Sequence, residues 1–117
     1  MRQALTRFGP KAMLDGPWFG PPMIDELRVE WTDEDASRTV WVSGEMDLAT
    51  VDALRTALEC PQPRLEVDLS NVTFIDLTGL RSLIDASEAH EEVALIASPR
   101  VGRLIELTAT GHLFEML

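Results

Sequence analysis

The chain has 117 residues, of which 45% are hydrophobic and 26% charged, and its formal net charge is -10. This length suits one domain with a core of its own. The excess of acidic residues repels phosphate backbones and anionic lipids, which argues against nucleic-acid binding and membrane-surface binding. A protein partner or a cationic ligand fits the charge better, although a net charge also simply keeps small proteins in solution.

Cysteine content and the length of apolar stretches restrict the class further. Cys60 is the single cysteine, which excludes a disulfide framework and a thiolate metal cluster. The sequence has no charged-then-apolar leader and no apolar stretch of about 18 residues. We therefore expect a cytoplasmic protein that does not insert into a membrane.

Residues 1–25 differ from the rest of the chain. They hold four of the seven prolines and show no sustained apolar period. This composition predicts a loosely ordered N-terminal arm over 1–25, followed by a folded domain over 26–117. Trp18 and Phe19 are the exception, because aromatic side chains in such an arm either pack on the domain or meet a partner.

From Leu27 the pattern becomes regular. Alternating apolar and polar residues predict a hairpin of two strands over 27–44, with "TDEDAS" as its turn. Helical spacing follows in "LATVDALRTALE", with Asp47 or Thr50 available as the cap. The prolines of "PQP" at 61–63 end that helix.

The second half alternates strands with helices. A strand begins at about 65 and its apolar content continues to Ile75, after which a helix runs to about His90. "VALIA" at 93–97 predicts a strand covered on both faces. "SP" at 98–99 starts a third helix, and Gly111 suits its end.

The predicted order is therefore β-β-α-β-α-β-α, with or without a terminal strand at 114–117. Strands separated by helices imply crossover connections and parallel neighbours, whereas the first two strands form a hairpin. The sequence predicts an α/β fold in which a small mixed sheet packs against helices.

Evidence for an enzyme is weak. The motifs GxxxxGK[ST], GxGxxG, HExxH and CxxC are all absent. His90 and His112 lie near predicted helix ends, where a structural role outweighs a catalytic one. Asp47, Asp68 and Asp76 lie near predicted strand ends, where carboxylates can do acid–base work or hold Mg²⁺. Because nothing specifies a nucleophile or a pocket, we predict no catalytic site, no metal site and no cofactor.

The junction "FIDLTGL" at 74–80 has both a structural and a functional interpretation. Asp76 suits a helix N-cap, and Gly79 lets the helix pack close to its neighbour. A helix start also presents free N–H groups to an anion, so a hydroxyl placed there is a sensible site to phosphorylate. Ser70, further upstream, is predicted to form a turn.

At this junction the sequence resembles the STAS domains, and especially the bacterial anti-sigma-factor antagonists. Three stretches carry the resemblance: "VSGEMDLATVDALRTAL", "LEVDLSNVTFIDLTGLRSLIDA" and "RVGRLIELTATGHLFEML". It covers about residues 27–117. The family's further C-terminal helix is absent or very short here and the N-terminal arm is atypical, which leaves the oligomeric state open.

The resemblance implies a non-enzymatic regulator that binds an anti-sigma factor of the serine-kinase type and so frees a sigma factor. In such antagonists the kinase phosphorylates the serine directly after the junction aspartate, and that position is Leu77 here. The partner contact is expected at one end of the sheet and involves six residues: Asp47, Asp76, Leu77, Thr78, Gly79 and Leu80.

Leu77 leaves three interpretations open. The first, which we favour, is an antagonist that the kinase cannot switch off at the usual place. In the second, Thr78 takes the phosphate, although a one-residue shift on a helix turns the side chain by about 100°. In the third, the domain has left the phosphorelay and serves as a docking subunit of a transporter or sensor complex. An enzyme using Asp47 and Asp76 as an acid–base pair is a more distant alternative.

Overall fold

The computed structural model describes residues 2–7 and 27–117. Within these ranges lie six strands: β1 (Arg2–Arg7), β2 (Leu27–Asp33), β3 (Ser37–Met46), β4 (Arg64–Ile75), β5 (Glu92–Ala97) and β6 (Glu115–Met116). Three α-helices accompany them: α1 (Val51–Leu58), α2 (Leu77–Ala89) and α3 (Pro99–Thr108). A 3-10 helix spans Gly111–Leu113.

The six strands form one mixed sheet whose order follows the chain, from β1 to β6. β2 pairs antiparallel with β1 on one side and with β3 on the other, and β3 to β6 run parallel. Each parallel pair is joined by a helical crossover, because parallel strands cannot be connected by a tight turn. The predicted α/β fold and the predicted element order from residue 27, including the terminal strand, are confirmed.

One face of the sheet and the inner sides of the three helices share a single hydrophobic core. Every second residue of β3 from 38 to 42 and of β4 from 65 to 69 is buried, while the residues between them are half-buried. The fully buried side chains of this core come from strands and helices alike, and include Val40, Leu65, Val67, Leu54, Leu83 and Val101. The helices therefore cover the face on which the strands place their apolar side chains.

β4 contains two more residues than the stretch of β3 beside it. Residues 41–46 of β3 lie against 68–75 of β4, with two shifts of register between them. Each shift adds one residue to β4, so its buried positions change from every second residue to every third, at 72 and 75. Gly44 (φ 99°) lies on β3 at the second shift, in a conformation that favours glycine.

The predicted turn at Ser70 is wrong. Ser70 lies inside β4, where the first shift of register occurs. Its amide and its hydroxyl both donate to Oδ1 of Asp68. The local hydrogen bonds typical of a turn are therefore present, but they form within a bulged strand that continues to Ile75.

The N-terminal segment contains a strand that the sequence did not reveal. β1 pairs antiparallel with β2 along six residues and so adds a strand at the edge of the sheet. The predicted loose arm is thus wrong for 2–7, because edge pairing does not need the long apolar period that was missing from the sequence. The remainder of the arm, with Trp18 and Phe19, lies outside the described residues, and the domain boundary at 25/26 stays a prediction.

The third helix starts where the sequence predicted, but it ends earlier than predicted. Ser98 caps α3 by accepting a hydrogen bond from the amide of Val101 at 3.3 Å, and Pro99 occupies the first turn. α3 ends at Thr108 because Ala109 adopts the left-handed conformation (φ 55°), and Gly111 belongs to the 3-10 helix. Among the helices in the described ranges, none combines the length and apolar character needed to cross a membrane.

Candidate functional site

Asp76 joins the end of β4 to the start of α2. Its Oδ1 accepts a hydrogen bond from the amide of Gly79 at 2.9 Å, which makes it the N-cap of the helix. Its own amide donates to the carbonyl of Met46, the last residue of β3, at 3.1 Å. One residue therefore fixes the helix start and ties it to the neighbouring strand.

Gly79 lies where α2 comes closest to β3. A Cβ at this position would stand 2.7 Å from the carbonyl oxygen of Met46 and 3.1 Å from Cγ1 of Ile75, so only glycine fits without a shift of the surroundings. Gly79 and Leu80 are both buried. These two members of the predicted contact set hold the junction in place and present no side chain to solvent.

Asp47 and Thr50 build the turn that connects β3 to α1. Oδ1 of Asp47 accepts from the amides of Ala49 (2.9 Å) and Thr50 (3.1 Å). The Thr50 hydroxyl donates to the carbonyl of Glu45 at 2.6 Å. Thr50 occupies the N-cap position without a side-chain cap bond. The two predicted caps thus act together, and the Asp47 carboxylate is used within its own turn.

Two leucines at this end of the sheet are exposed. Leu48 lies two residues after β3 and is 75% exposed, and Leu77 is the first residue of α2 and is 67% exposed. The bond between Asp76 and Met46 brings their two chain segments together. We call Leu48 and Leu77 the leucine surface. The nearby Asp47 and Asp76 carboxylates accept hydrogen bonds from their own turns.

A groove of about 440 Å³ begins at Leu77 and crosses α2. Its lining comes from α1, α2 and the end of α3: Arg55, Leu77, Thr78, Leu80, Arg81, Ile84, Thr108 and Thr110. Thr78 is half-buried in this lining. Of the predicted contact residues, the groove therefore gathers Leu77, Thr78 and Leu80.

Asp85 bridges the two arginines of the groove. Its carboxylate accepts from Nη1 of Arg55 at 2.9 Å and from Nε of Arg81 at 3.2 Å. These hydrogen bonds, that of Arg55 foremost, hold the pKa of Asp85 below its usual value. The sequence analysis missed both arginines. Arg81 and Asp85 are four residues apart on one helix face, a spacing that could have indicated their ion pair. Arg55 is 30 positions from Asp85, and no local sequence pattern predicts a contact over that separation.

The three aspartates considered for acid–base chemistry do not form one site. Asp47 and Asp76 follow neighbouring strands, but each carboxylate serves its own turn. Asp68 lies within β4 opposite Trp41, well before the strand ends. In the part of the chain that the structure describes, no three His, Cys, Asp or Glu side chains are placed to hold a metal ion.

His90 links the ends of α1 and α2. Its Nδ1 lies 3.0 Å from the carbonyl oxygen of Ala86, and its Nε2 lies 3.2 Å from that of Cys60 and 3.5 Å from the Cys60 sulfur. Burial raises the pKa of the Cys60 thiol, which disfavours the reactive thiolate. These contacts agree with the structural role predicted for His90, while His112 is exposed in the 3-10 helix.

Known proteins of one family resemble this chain. The family model described as "Mlab, STAS domain" matches residues 29–115. The anti-sigma-B factor antagonist of Staphylococcus aureus is 32% identical over 99 residues, which cover 77% of this chain and 92% of that protein. The protein of the same name from Listeria monocytogenes is 31% identical over 86 residues, or 66% of this chain and 75% of that protein.

Solved structures show the same likeness. The anti-sigma factor antagonist from Mycobacterium paratuberculosis superposes with a TM-score of 0.72 at 31% identity, over 79% of this chain and 86% of that one. The antagonist SpoIIAA in its unphosphorylated form superposes with a TM-score of 0.58 at 17% identity, over 76% and 87%, which is a likeness of fold. With the family model matching residues 29–115 and relatives above 30% identity, the chain belongs to the STAS domain family.

Proposed function

We propose that this chain is an anti-sigma-factor antagonist that binds an anti-sigma factor of the serine-kinase type and thereby frees a sigma factor. The observation that carries the proposal is the exposure of Leu77 at the start of α2 and of Leu48 after β3, at the same end of the sheet. The names of the Staphylococcus and Mycobacterium relatives support it. Such a protein works in the cytoplasm as a binding protein, not as an enzyme.

The leucine surface supplies the apolar contact in this proposal. Burying a leucine side chain is worth about 1.5–3 kcal/mol, so each of the two can contribute measurably to the stability of a complex. Asp47, Asp76, Gly79 and Leu80 act by fixing the backbone beneath the surface. Thr78 lies half-buried next to it and contributes a hydroxyl.

Leu77 occupies the position at which antagonists of this kind carry their phosphoacceptor serine. A leucine cannot take a phosphate, so its contact with the partner is not removed by modification at that position. Thr78 has the single hydroxyl side chain among residues 76–80 and is the candidate for any phosphorylation at this junction.

The test is a binding measurement between the full chain and the purified kinase-type anti-sigma factor of the same organism. Isothermal titration should show that Leu77→Asp and Leu48→Asp each weaken binding by about tenfold or more, as expected for a loss above 1.4 kcal/mol. Leu117→Asp is the matched control, because Leu117 is 59% exposed but follows β6 at the far edge of the sheet. Equal affinity for all three variants and the wild type would contradict the proposal.

The second candidate is a non-phosphorylated docking subunit of a transporter or sensor complex. Two observations favour it: the family model is described as "Mlab, STAS domain", and the acceptor position holds a leucine. A competition assay separates the two functions. An antagonist releases the sigma factor from the anti-sigma factor when the chain is added, whereas a docking subunit leaves that complex intact.

A further inference from the structure

The sheet has a second face on the side away from the helices. The crossovers from β3 to β6 all step in the same direction, and connections of this kind are right-handed, which places their helices on one side. Within the described ranges, α1, α2 and α3 accordingly share one core. We call the other side the outer face. Its residues alternate along the strands with buried ones, and its central positions are Glu30, Trp41, Glu66, Asp68 and Ile96.

One row across the outer face alternates acidic and apolar side chains. Glu30 of β2 lies opposite Trp41 of β3, Trp41 lies beside Asp68 of β4, and Asp68 lies beside Ile96 of β5. Because neighbouring strands are about 4.8 Å apart, the position on each side of the indole holds a carboxylate. All four residues are half-buried, so part of each is accessible to a partner.

Negative charge extends from this row towards the start of β4. The guanidinium of Arg64 is shared by three carboxylates, those of Glu66 at 3.8 Å, Glu115 at 3.6 Å, and Glu92. The hydrogen bond to Glu92 is the main reason that the pKa of Arg64 is raised. One cation does not neutralise three carboxylates, and the acidic side chains of the row beside them add to the excess. The outer face is therefore complementary to positive charge.

We propose that the outer face binds a basic segment of a partner protein, with a lysine or arginine side chain lying across Trp41. The apolar stem of such a side chain packs on the indole and Ile96, while its charged head reaches Asp68. A cation over a tryptophan ring adds cation–π attraction, the contact that Arg38 makes with Trp31 within the chain at 5.2 Å. An acidic segment is repelled by this face, and a purely apolar one has to desolvate its carboxylates.

The outer face is separate from the leucine surface. Leu77 begins α2, which lies on the other side of the sheet, and Leu48 lies beyond the end of β3. A basic partner can therefore bind the outer face while the leucine surface is occupied. The inference goes beyond the proposed function and does not depend on it.

The experiment titrates the isotopically labelled full chain with hexalysine, the probe for a basic segment. Salt at about 0.15 M limits the Debye length to about 8 Å and so screens distant charges. NMR follows the backbone amides and the indole N–H of Trp41, whose signal is identified by its loss in Trp41→Leu. We expect the largest shifts at positions 41, 66, 68 and 96.

Variants then assign the binding to the row. Trp41→Leu, which keeps an apolar side chain, and Asp68→Asn, which keeps an acceptor for the hydrogen bonds from Ser70, should each weaken binding about threefold or more. Glu88→Gln is the matched control, because it removes the same charge from an exposed position of α2. It should change the affinity by less than about twofold.

Three results would overturn the proposal: shifts spread evenly over both sides of the sheet, equal weakening by Asp68→Asn and Glu88→Gln, or unchanged binding by a folded Trp41→Leu. If Trp41→Leu does not fold, the comparison of Asp68→Asn with Glu88→Gln decides. Spermidine binding as tightly as hexalysine would replace the protein segment by a small polyamine. Shifts that grow with protein concentration alone would replace it by a second copy of the chain. None of these readouts involves the anti-sigma factor.

Discussion

The amide of Asp76 donates a hydrogen bond to the carbonyl of Met46 at 3.1 Å, and the same oxygen lies 2.7 Å from where a Cβ on Gly79 would be. The carbonyl is therefore enclosed from two sides by the first turn of α2. Because it cannot move away without breaking the bond to Asp76, the position of the leucine surface depends on a glycine that is itself buried.

Gly79→Ala should lower the free energy of unfolding by about 1–3 kcal/mol, since the added methyl group meets a backbone oxygen. Gly102→Ala is the matched control within α3. A Cβ there would lie 3.9 Å from Cβ of Ala97, an ordinary contact, so the helix should gain about 0.5–1 kcal/mol. Urea unfolding measures both variants. A similar change in the two would show that the close approach at Gly79 is relaxed in solution.

Leu77→Ser should cost less than about 1 kcal/mol, because the leucine is 67% exposed and serine is well tolerated near a helix start. It places a hydroxyl at the proposed acceptor position while Asp76 and Gly79 stay in place. After incubation with the cognate kinase and ATP, mass spectrometry should find phosphate at position 77 of the variant. A folded variant that gains no phosphate at this position would show that the kinase does not recognise the junction.

Asp47→Lys should lower the free energy of unfolding by about 1 kcal/mol, because Oδ1 of Asp47 accepts hydrogen bonds from two amides of its turn. Asp47→Asn keeps an acceptor oxygen and should be close to neutral. Thermal unfolding compares the two. The asparagine variant then tests whether the negative charge of Asp47 contributes to partner binding. A charge at the rim of an interface mainly alters the association rate and its salt dependence. A stable lysine variant would contradict the capping role.

The β2–β3 hairpin contains an ion pair with a predictable pH dependence. Arg38 donates from Nε and Nη2 to the two carboxylate oxygens of Asp33, at 2.5 and 2.9 Å. Arg38 is 9% exposed, also donates to the carbonyl of Ala57, and lies 5.2 Å over the ring of Trp31. The hydrogen bond from Arg38 is the main reason that the pKa of Asp33 is lowered.

Since the folded-state pKa of Asp33 lies below its unfolded value of about 3.9, the pair stabilises the fold fully above that value. This contribution is lost as the pH falls through the folded pKa. Asp33→Asn should cost about 1 kcal/mol at neutral pH, a small value because Asp33 is partly exposed to solvent. In urea unfolding the wild type should lose more stability than this variant below about pH 4. Asp35→Asn in the same turn is the control. An equal loss of stability in the wild type and in Asp33→Asn would contradict the assignment of this pH dependence to Asp33.

A chain that begins at residue 26 tests the predicted domain boundary. It should fold, because it keeps every core residue that the structure describes, from Leu27 onwards, but it lacks β1 and exposes the edge of β2. We expect a decrease in Tm of less than about 10 °C, the shift of roughly 1 kcal/mol in a domain of this size. Amide exchange should accelerate mainly in β2. Loss of cooperative unfolding would place the arm within the domain.

The fold could be predicted from the sequence wherever a helix or strand buries one regular face. The hairpin, the three helices and the Asp76 and Ser98 caps follow from local periodicity and cap chemistry. The end of α3 does not follow, because Ala109 takes a conformation for which Gly111 was the better local candidate. The strand β1 could not be predicted either, since its pairing at the edge of the sheet depends on β2, which lies beyond residue 26.

The candidate site was predicted in part. The cap at Asp76 and the close packing at Gly79 could be predicted because their chemistry is local, whereas Leu77 was singled out by the family resemblance and its contact with a partner stays a prediction. The groove was not, because Arg55 reaches Asp85 from another helix. The exposure of Leu77 could not be read from its residue type either. In "DLTGL" only the helical phase distinguishes the solvent-facing Leu77 from the buried Leu80, and the position of the cap determines that phase.

The two register shifts of β4 affect how this site can change through mutation. Each extra residue of β4 is taken up at a shift of register, so Ile75 still faces the core, but a single deletion in the regularly alternating stretch 64–69 would turn the side chains that follow to the opposite face. Substitution at position 77 has no such effect on the phase. Exchange of a hydroxyl for an apolar side chain is therefore an accessible step for this fold, whereas a change of length in the regular part of the preceding strand would abolish the surface.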